Sequence, residues 1–169
     1  EGGGYFAGLA PEVEIVPQRG GDLGERMAGA FADQFQRGAD RVAIIGTDSP
    51  DLPGEYILRA FDLLDGGSDV VFGPAEDGGY YLLAMGKLWQ ELFRGLPWST
   101  PDLLRASLEK ADRVGLATAL LPPWYDLDTW EDLVGTFGRG GTPAAPLTDA
   151  FLRGLFAPAG RSGKESPAP

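Results

Sequence analysis

The chain has 169 residues, a length typical of one domain, and its 43% hydrophobic and 23% charged residues are ordinary for a folded globular protein. Fourteen basic and 25 acidic residues give a formal net charge of −11, which disfavours nucleic-acid and anionic membrane partners. The absence of Cys and His excludes disulfides, thiolate nucleophiles, Ser-His-Asp triads and zinc sites built from these residues. Neither a signal-peptide pattern nor an apolar run of membrane length occurs, so we expect a cytoplasmic protein.

Short apolar runs alternate along the chain with apolar residues at helical spacing. The apolar runs predict strands at Val42–Ile45, Val70–Phe72, Tyr80–Met85 and Leu116–Leu121, and the alternation of apolar residues with glutamates predicts another strand at Val13–Val16. The helical patterns predict helices from Asp22 through Phe31, Gly54–Leu64, Thr100 through Ala111, Trp130–Phe137 and Leu147–Phe156. Asp22 is predicted to cap the first helix, with Glu25 reaching back to it in an acidic version of the capping box.

Alternation of strands and helices predicts an α/β fold around a mostly parallel sheet flanked by helices. The continuous β-branched run at Val42–Ile45 is typical of a buried central strand. We expect residues 1–156 to form a single domain, and residues 157–169, rich in Pro, Gly and Ser, to form a disordered tail.

Three acidic loops follow predicted strands, at Gly46–Pro50, Glu76–Tyr80 and Tyr125–Thr129. Ligands of open α/β sheets bind at the carboxyl ends of strands. Two carboxylates from different loops can share one Mg²⁺ or Mn²⁺ ion. An aspartate after a strand is equally an ordinary turn former or helix cap, so each loop alone leaves both interpretations open.

Five motifs in a fixed order give the chain a recognisable pattern: Gln18–Met27, Ile45–Pro50, Gly73–Tyr81, Trp98–Thr100 and Asp126–Leu133. With them the chain resembles a bacterial family of GT-A-type glycosyltransferases, once labelled a domain of unknown function and linked to arsenosugar biosynthesis. It is similar, more distantly, to the nucleotidyltransferases of molybdenum-cofactor and phospholactate guanylylation. The resemblance covers about residues 13–155 and implies a GT-A, nucleotide-diphospho-sugar transferase-like fold.

The resemblance implies that Asp48 holds a metal that bridges the phosphates of a nucleotide. It implies a second metal motif at Asp126–Thr129, with Asp128 as the favoured ligand and Asp126 as a supporting or alternative one. Mg²⁺ or Mn²⁺ suits such oxygen ligands and allows a diphosphate to approach so acidic a protein. Asp51 matches no residue that the family requires, and we expect it to be solvated. The family usually has Pro where this chain has Trp130.

The resemblance also implies that the loop after the first strand reads the nucleobase. The nucleotide-binding candidates are Gln18, Gly20, Gly21, Leu23 and Arg26. A glycine-containing turn into a capped helix explains the same loop equally well.

On the acceptor side the resemblance implies Asp77 as the catalytic residue. Gly78, Gly79, Tyr80 and Trp98 would bind the acceptor, with the tyrosine stacking on a sugar ring. Asp77-Gly78-Gly79 is also a sequence typical of ordinary hairpin turns. Thr100, two residues after Trp98, could simply cap a helix.

Related proteins begin with a strand–loop–helix–strand unit, and this sequence starts after it. If that unit is lacking, Val42–Ile45 should expose an unpaired edge. We then expect a homodimer or another segment to cover this edge.

These observations favour a metal-dependent glycosyltransferase that uses a nucleoside-diphosphate sugar donor and a small-molecule acceptor. One alternative is a nucleotidyltransferase that joins a nucleoside monophosphate to a phosphorylated acceptor. The other is a non-catalytic nucleotide-binding or scaffold relative.

Overall fold

The structure, a computed structural model, describes residues 13–138 and 144–156. Its strands are β1 (Val42–Ile45), β2 (Val70–Pro74), β3 (Tyr80–Met85) and β4 (Thr118–Leu120). Its helices are α1 (Leu23–Gln36), α2 (Gly54–Asp65), α3 (Leu103–Arg113), α4 (Trp130–Gly138) and α5 (Pro146–Phe156), with a 3₁₀ turn at Gln90–Phe93. Within these ranges no helix combines the length and the apolar character that crossing a membrane requires. The predicted tail at residues 157–169 lies outside the described residues.

The four strands form one mixed sheet in the order β1-β3-β2-β4. β3 is antiparallel to β1 and β2, while β2 and β4 are parallel. β1, β2 and β4 therefore run in one direction and β3 runs against them. Two of the three neighbouring strand pairs are antiparallel, so the sheet is mixed and the prediction of a mostly parallel sheet is not confirmed. The reason is the short connection between β2 and β3 at residues 75–79, since a parallel crossover needs a dozen residues or more.

The predicted strand at Val13–Val16 is wrong. These residues have irregular backbone and exposed side chains, and Glu14 forms an ion pair with Arg37 after α1. An alternating pattern produces a strand only where a neighbouring strand pairs with it. β1 forms as predicted but lies at an edge of the described sheet, with Val42 buried and Ile45 42% exposed.

Successive strand residues point to opposite sides of the sheet, so both faces carry side chains. Both faces are buried because helices pack on each of them. On one face, β2 and β3 pack against α1, α3 and the 3₁₀ turn. The buried residues of this cluster are Phe31, Val42, Val70, Phe72, Leu83, Met85, Leu92, Phe93, Ala111 and Leu116. On the other face the sheet packs against α2, with Ala60, Leu64, Val71, Tyr81, Leu82, Ala84 and Leu121 buried. This three-layer packing fixes the strand ends that carry the acidic loops.

The start of α1 is held by two carboxylates. The side chain of Asp22 accepts a hydrogen bond of 2.8 Å from the amide of Glu25, as predicted. The carboxylate of Glu25 reaches one residue further back than predicted, to the amide of Gly21 at 2.7 Å. The loop before α1 is therefore fastened to the helix by its own capping groups.

Candidate functional site

The acidic loops meet because β1, β2 and β4 point the same way. Asp48 follows β1, Asp77 follows β2, and Asp126 and Asp128 follow β4. The loops after β2 and β4 continue side by side, with the amide of Trp124 donating to the carbonyl of Pro74 at 3.0 Å. All four carboxylates line one cavity of about 640 Å³, so the carboxyl ends of three strands form a single acidic edge.

The cavity also has an apolar wall. That wall is formed by Leu23, Met27, Ile44, Leu83 and Trp98. Neither Lys nor Arg occurs among the described residues that line the cavity. Such a cavity can hold a ring against its apolar wall and a cation against its acidic side.

Two of the four carboxylates, Asp126 and Asp128, have a raised pKa. Burial, followed by the charges of Asp48, Asp77 and Asp128, raises the pKa of Asp126 above its ordinary value, although a hydrogen bond from Ser49 acts in the opposite direction. Slight burial and the charges of Asp48 and Asp77 also raise the pKa of Asp128. Within the described ranges no three or more acidic side chains form a ready-made metal cluster. The acidic edge is a region of mutual repulsion that a cation would relieve.

Hydrogen bonds join the loop after β1 to the loop after β4 at several points. The amide of Leu127 donates to the carbonyl of Asp48 at 2.9 Å, and the buried Ser49 hydroxyl donates to Asp126 Oδ1 at 2.8 Å. Tyr125 donates its hydroxyl to the carboxylate of Asp51. The expectation that Asp51 is solvated is therefore wrong. Its two hydrogen-bond partners lie more than 70 residues away, so no local pattern indicates these contacts.

The loop of Asp77 is held by a hydrogen bond within the loop and by contacts with the start of α3. Asp77 Oδ1 accepts a hydrogen bond of 2.8 Å from the amide of Gly79. Gly78 has φ +91°, and a Cβ there would lie 2.1 Å from the carbonyl oxygen of Pro101. The carbonyl of Gly78 accepts from the amide of Leu104 at 3.0 Å. Gly79 lines the cavity, whereas the requirement for glycine at position 78 comes from packing against α3.

The two tyrosines after this loop face opposite sides of the sheet. The ring of Tyr80 packs edge-on against Phe72 at 5.4 Å, and its hydroxyl shares a hydrogen bond with Ser107. Burial raises the pKa of Tyr80. Tyr80 lines the cavity, but most of its ring packs against the hydrophobic core. Tyr81 donates its hydroxyl to the carbonyl of Pro122 at 2.9 Å.

Trp98 forms part of the cavity wall and packs across the start of α1. A Cβ on Gly24 would lie 2.6 Å from its indole ring. The hydroxyl of Thr100 donates to the carbonyl of Pro97 at 2.8 Å and does not cap α3, whose N-cap is Asp102. The interpretation of Thr100 as a helix cap is therefore wrong.

The nucleotide-binding candidates fall into two groups. Gln18 and Leu23 line the cavity. Gly20, Gly21 and Arg26 instead shape the turn into α1: Gly20 has φ +135° and packs on Glu25, and Arg26 Nε donates to the carbonyl of Asp22 at 3.1 Å. The turn interpretation accounts for these three residues.

A solved structure is similar to this chain over most of its length. A crystal structure from Desulfovibrio desulfuricans G20, named "putative nucleotide-diphospho-sugar transferase", is 34% identical with a TM-score of 0.76, and the match covers 89% of this chain and 70% of that chain. Residues 2–100 match the family described as "Uncharacterized protein conserved in bacteria (DUF2064)". The chain belongs to this family. No curated protein matches it.

Proposed function

We propose that the protein is a metal-dependent glycosyltransferase that moves a sugar from a nucleoside-diphosphate donor to a small-molecule acceptor. The observation that carries the proposal is the convergence of three acidic loops on one cavity that also has apolar lining residues. The name of the similar crystal structure supports the same class of donor.

In this proposal Asp48 and Asp128 hold Mg²⁺ or Mn²⁺, with Asp126 as a supporting or alternative ligand. The donor set fits, because Mg²⁺ is usually bound through one or two carboxylates together with waters and substrate phosphates, so a cluster of three is not needed. Burial first, and then the negative charges of neighbouring aspartates, raise the pKa values of Asp126 and Asp128, and a divalent ion would neutralise that charge. The bound ion would stabilise negative charge on the diphosphate leaving group.

The uncharged part of the cavity would recognise the rest of the donor. Gln18 offers an amide donor and acceptor to a base edge. Leu23 and Trp98 offer apolar surface to rings. Because the described cavity lining has no basic side chain, we expect donor affinity to depend steeply on the divalent ion.

We assign Asp77 the proton-accepting role. The acceptor hydroxyl attacks the anomeric carbon, the bond from that carbon to the diphosphate breaks, and the hydroxyl proton goes to Asp77. The chain has no histidine for this task. The hydrogen bond from the Gly79 amide orients one oxygen of Asp77.

The test is calorimetry with nucleoside diphosphates and nucleotide sugars, with and without Mn²⁺. We expect Mn²⁺-dependent binding in the wild type and in a control variant, Asp62→Asn, which changes an exposed aspartate on α2. Binding should be lost in Asp48→Asn while the fold is retained. Unchanged affinity in Asp48→Asn would contradict the metal assignment.

The reaction product then separates the alternatives. Release of a nucleoside diphosphate supports the transferase, whereas release of pyrophosphate would indicate a nucleotidyltransferase. A folded wild type that binds no nucleotide with Mn²⁺ would indicate a non-catalytic relative.

A further inference from the structure

Asp51 joins the acidic edge to a pair of aromatic rings. Its carboxylate accepts hydrogen bonds from the Tyr125 hydroxyl and from Trp124 Nε1, the latter at 3.3 Å. The rings of Trp124 and Tyr125 stack with centroids 5.5 Å apart. Trp124 also packs edge-on against Tyr56 of α2 at 5.6 Å. One carboxylate thus fastens both rings to the loop that carries Asp48.

Because of the position of Tyr125, its hydrogen bond to Asp51 can affect the placement of the site carboxylates. Tyr125 directly precedes Asp126, and the next residue, Leu127, is bound to the carbonyl of Asp48. A shift of Tyr125 away from Asp51 would move the loop of Asp126 relative to that of Asp48. The negative charges of Asp48 and Asp126 repel each other and oppose the close approach of the two loops. Hydrogen bonds to a charged acceptor are the stronger kind and can oppose such repulsion.

We propose that Asp51 is a positioning residue that holds residues 124–128 against the Asp48 loop and thereby sets the spacing of the carboxylates on the acidic edge. Its predicted effect on cation binding rests on the function proposed above. Its effect on the loop itself does not. The two effects can therefore be measured separately.

The first measurement is hydrogen exchange of the ligand-free protein. In Asp51→Ala the amides of residues 124–129 should exchange about tenfold faster or more, the factor expected when one charged hydrogen bond is lost. Exchange in α1 should increase less than exchange at residues 124–129. Asp51→Asn keeps an acceptor oxygen and should restore part of the protection. The control, Asp62→Ala on α2, should exchange like the wild type.

Tyr125→Phe removes one donor and leaves Asp51 intact. It should give the same local increase in exchange at residues 124–129, and it carries the test if Asp51→Ala fails to fold. Wild-type exchange of these amides in both variants would overturn the proposal.

The second measurement is Mn²⁺ affinity by calorimetry in the presence of a nucleoside diphosphate. Asp51→Ala should bind about tenfold more weakly, with partial recovery in Asp51→Asn. If the wild type binds no Mn²⁺-nucleotide, the proposed function fails, and the exchange result still decides the role of Asp51. Faster exchange with unchanged Mn²⁺ affinity would overturn the claim that Asp51 sets the carboxylate spacing.

Discussion

Gly78 allows the Asp77 loop to lie directly against the start of α3. A methyl group at this position would meet three backbone atoms of Pro101, the carbonyl oxygen at 2.1 Å, the carbonyl carbon at 2.7 Å and Cα at 2.8 Å. Backbone atoms cannot rotate aside as a side chain can, so either the loop or α3 has to move. Gly38 has nearly the same φ, +92° against +91°, and has nothing within 4 Å of its Cβ position. Gly38→Ala is therefore a matched control for Gly78→Ala.

The two variants share one energetic cost and differ in the other. An alanine at positive φ costs about 1–2 kcal/mol in either position. Overpacking at Gly78 adds about 1–3 kcal/mol, so Gly78→Ala should lose roughly 2–5 kcal/mol of unfolding free energy in total. Gly38→Ala should lose only the first amount.

Urea denaturation followed by circular dichroism measures both losses. We expect Gly78→Ala to be the less stable variant by about 1–3 kcal/mol. Equal losses in the two variants would refute the reasoning, because they would mean that α3 does not press on the Asp77 loop.

Two further predictions concern the acidic edge and α1. Asp128→Asn should raise the thermal midpoint of the metal-free protein at pH 7. A folded-state pKa above the ordinary 3.8 means that stability is lost as the pH rises through the folded value. The gain should disappear in melts below pH 3.8, and an equal gain at both pH values would contradict this origin. Asp22→Ala removes the N-cap bond of α1 and should cost about 1 kcal/mol in urea denaturation; an unchanged midpoint would argue against the cap.

Elements defined by local sequence were predicted well. β1 has the predicted bounds, Val42–Ile45, and α2 differs by one residue at its end. Both depend on patterns within a dozen residues. The prediction of a strand at Val13–Val16 is wrong because an alternating pattern does not by itself provide a neighbouring strand to pair with. The direction of β3 was missed although the short connection at residues 75–79 contained the information.

The site was predicted in outline for a similar reason. Carboxylates that follow parallel strands have to meet at one edge of the sheet. The order of the elements is therefore enough to predict that Asp48 and Asp126 lie close together. The contacts of Asp51 and the packing of Gly78 on Pro101 depend on residues that are distant in sequence and on side-chain directions. A single sequence contains no local signal for either.

The loop-to-loop contacts have a consequence for the order in which the protein can fold. The hydrogen bond between Ser49 and Asp126 spans 77 positions of the chain. Contacts of such high sequence separation form late, because a long loop has to close first. During synthesis β1 to β3 can pair as soon as they emerge, whereas the acidic edge can close only after β4 has followed. Nascent chains that end before β4 should therefore contain a structured sheet whose acidic edge has not closed.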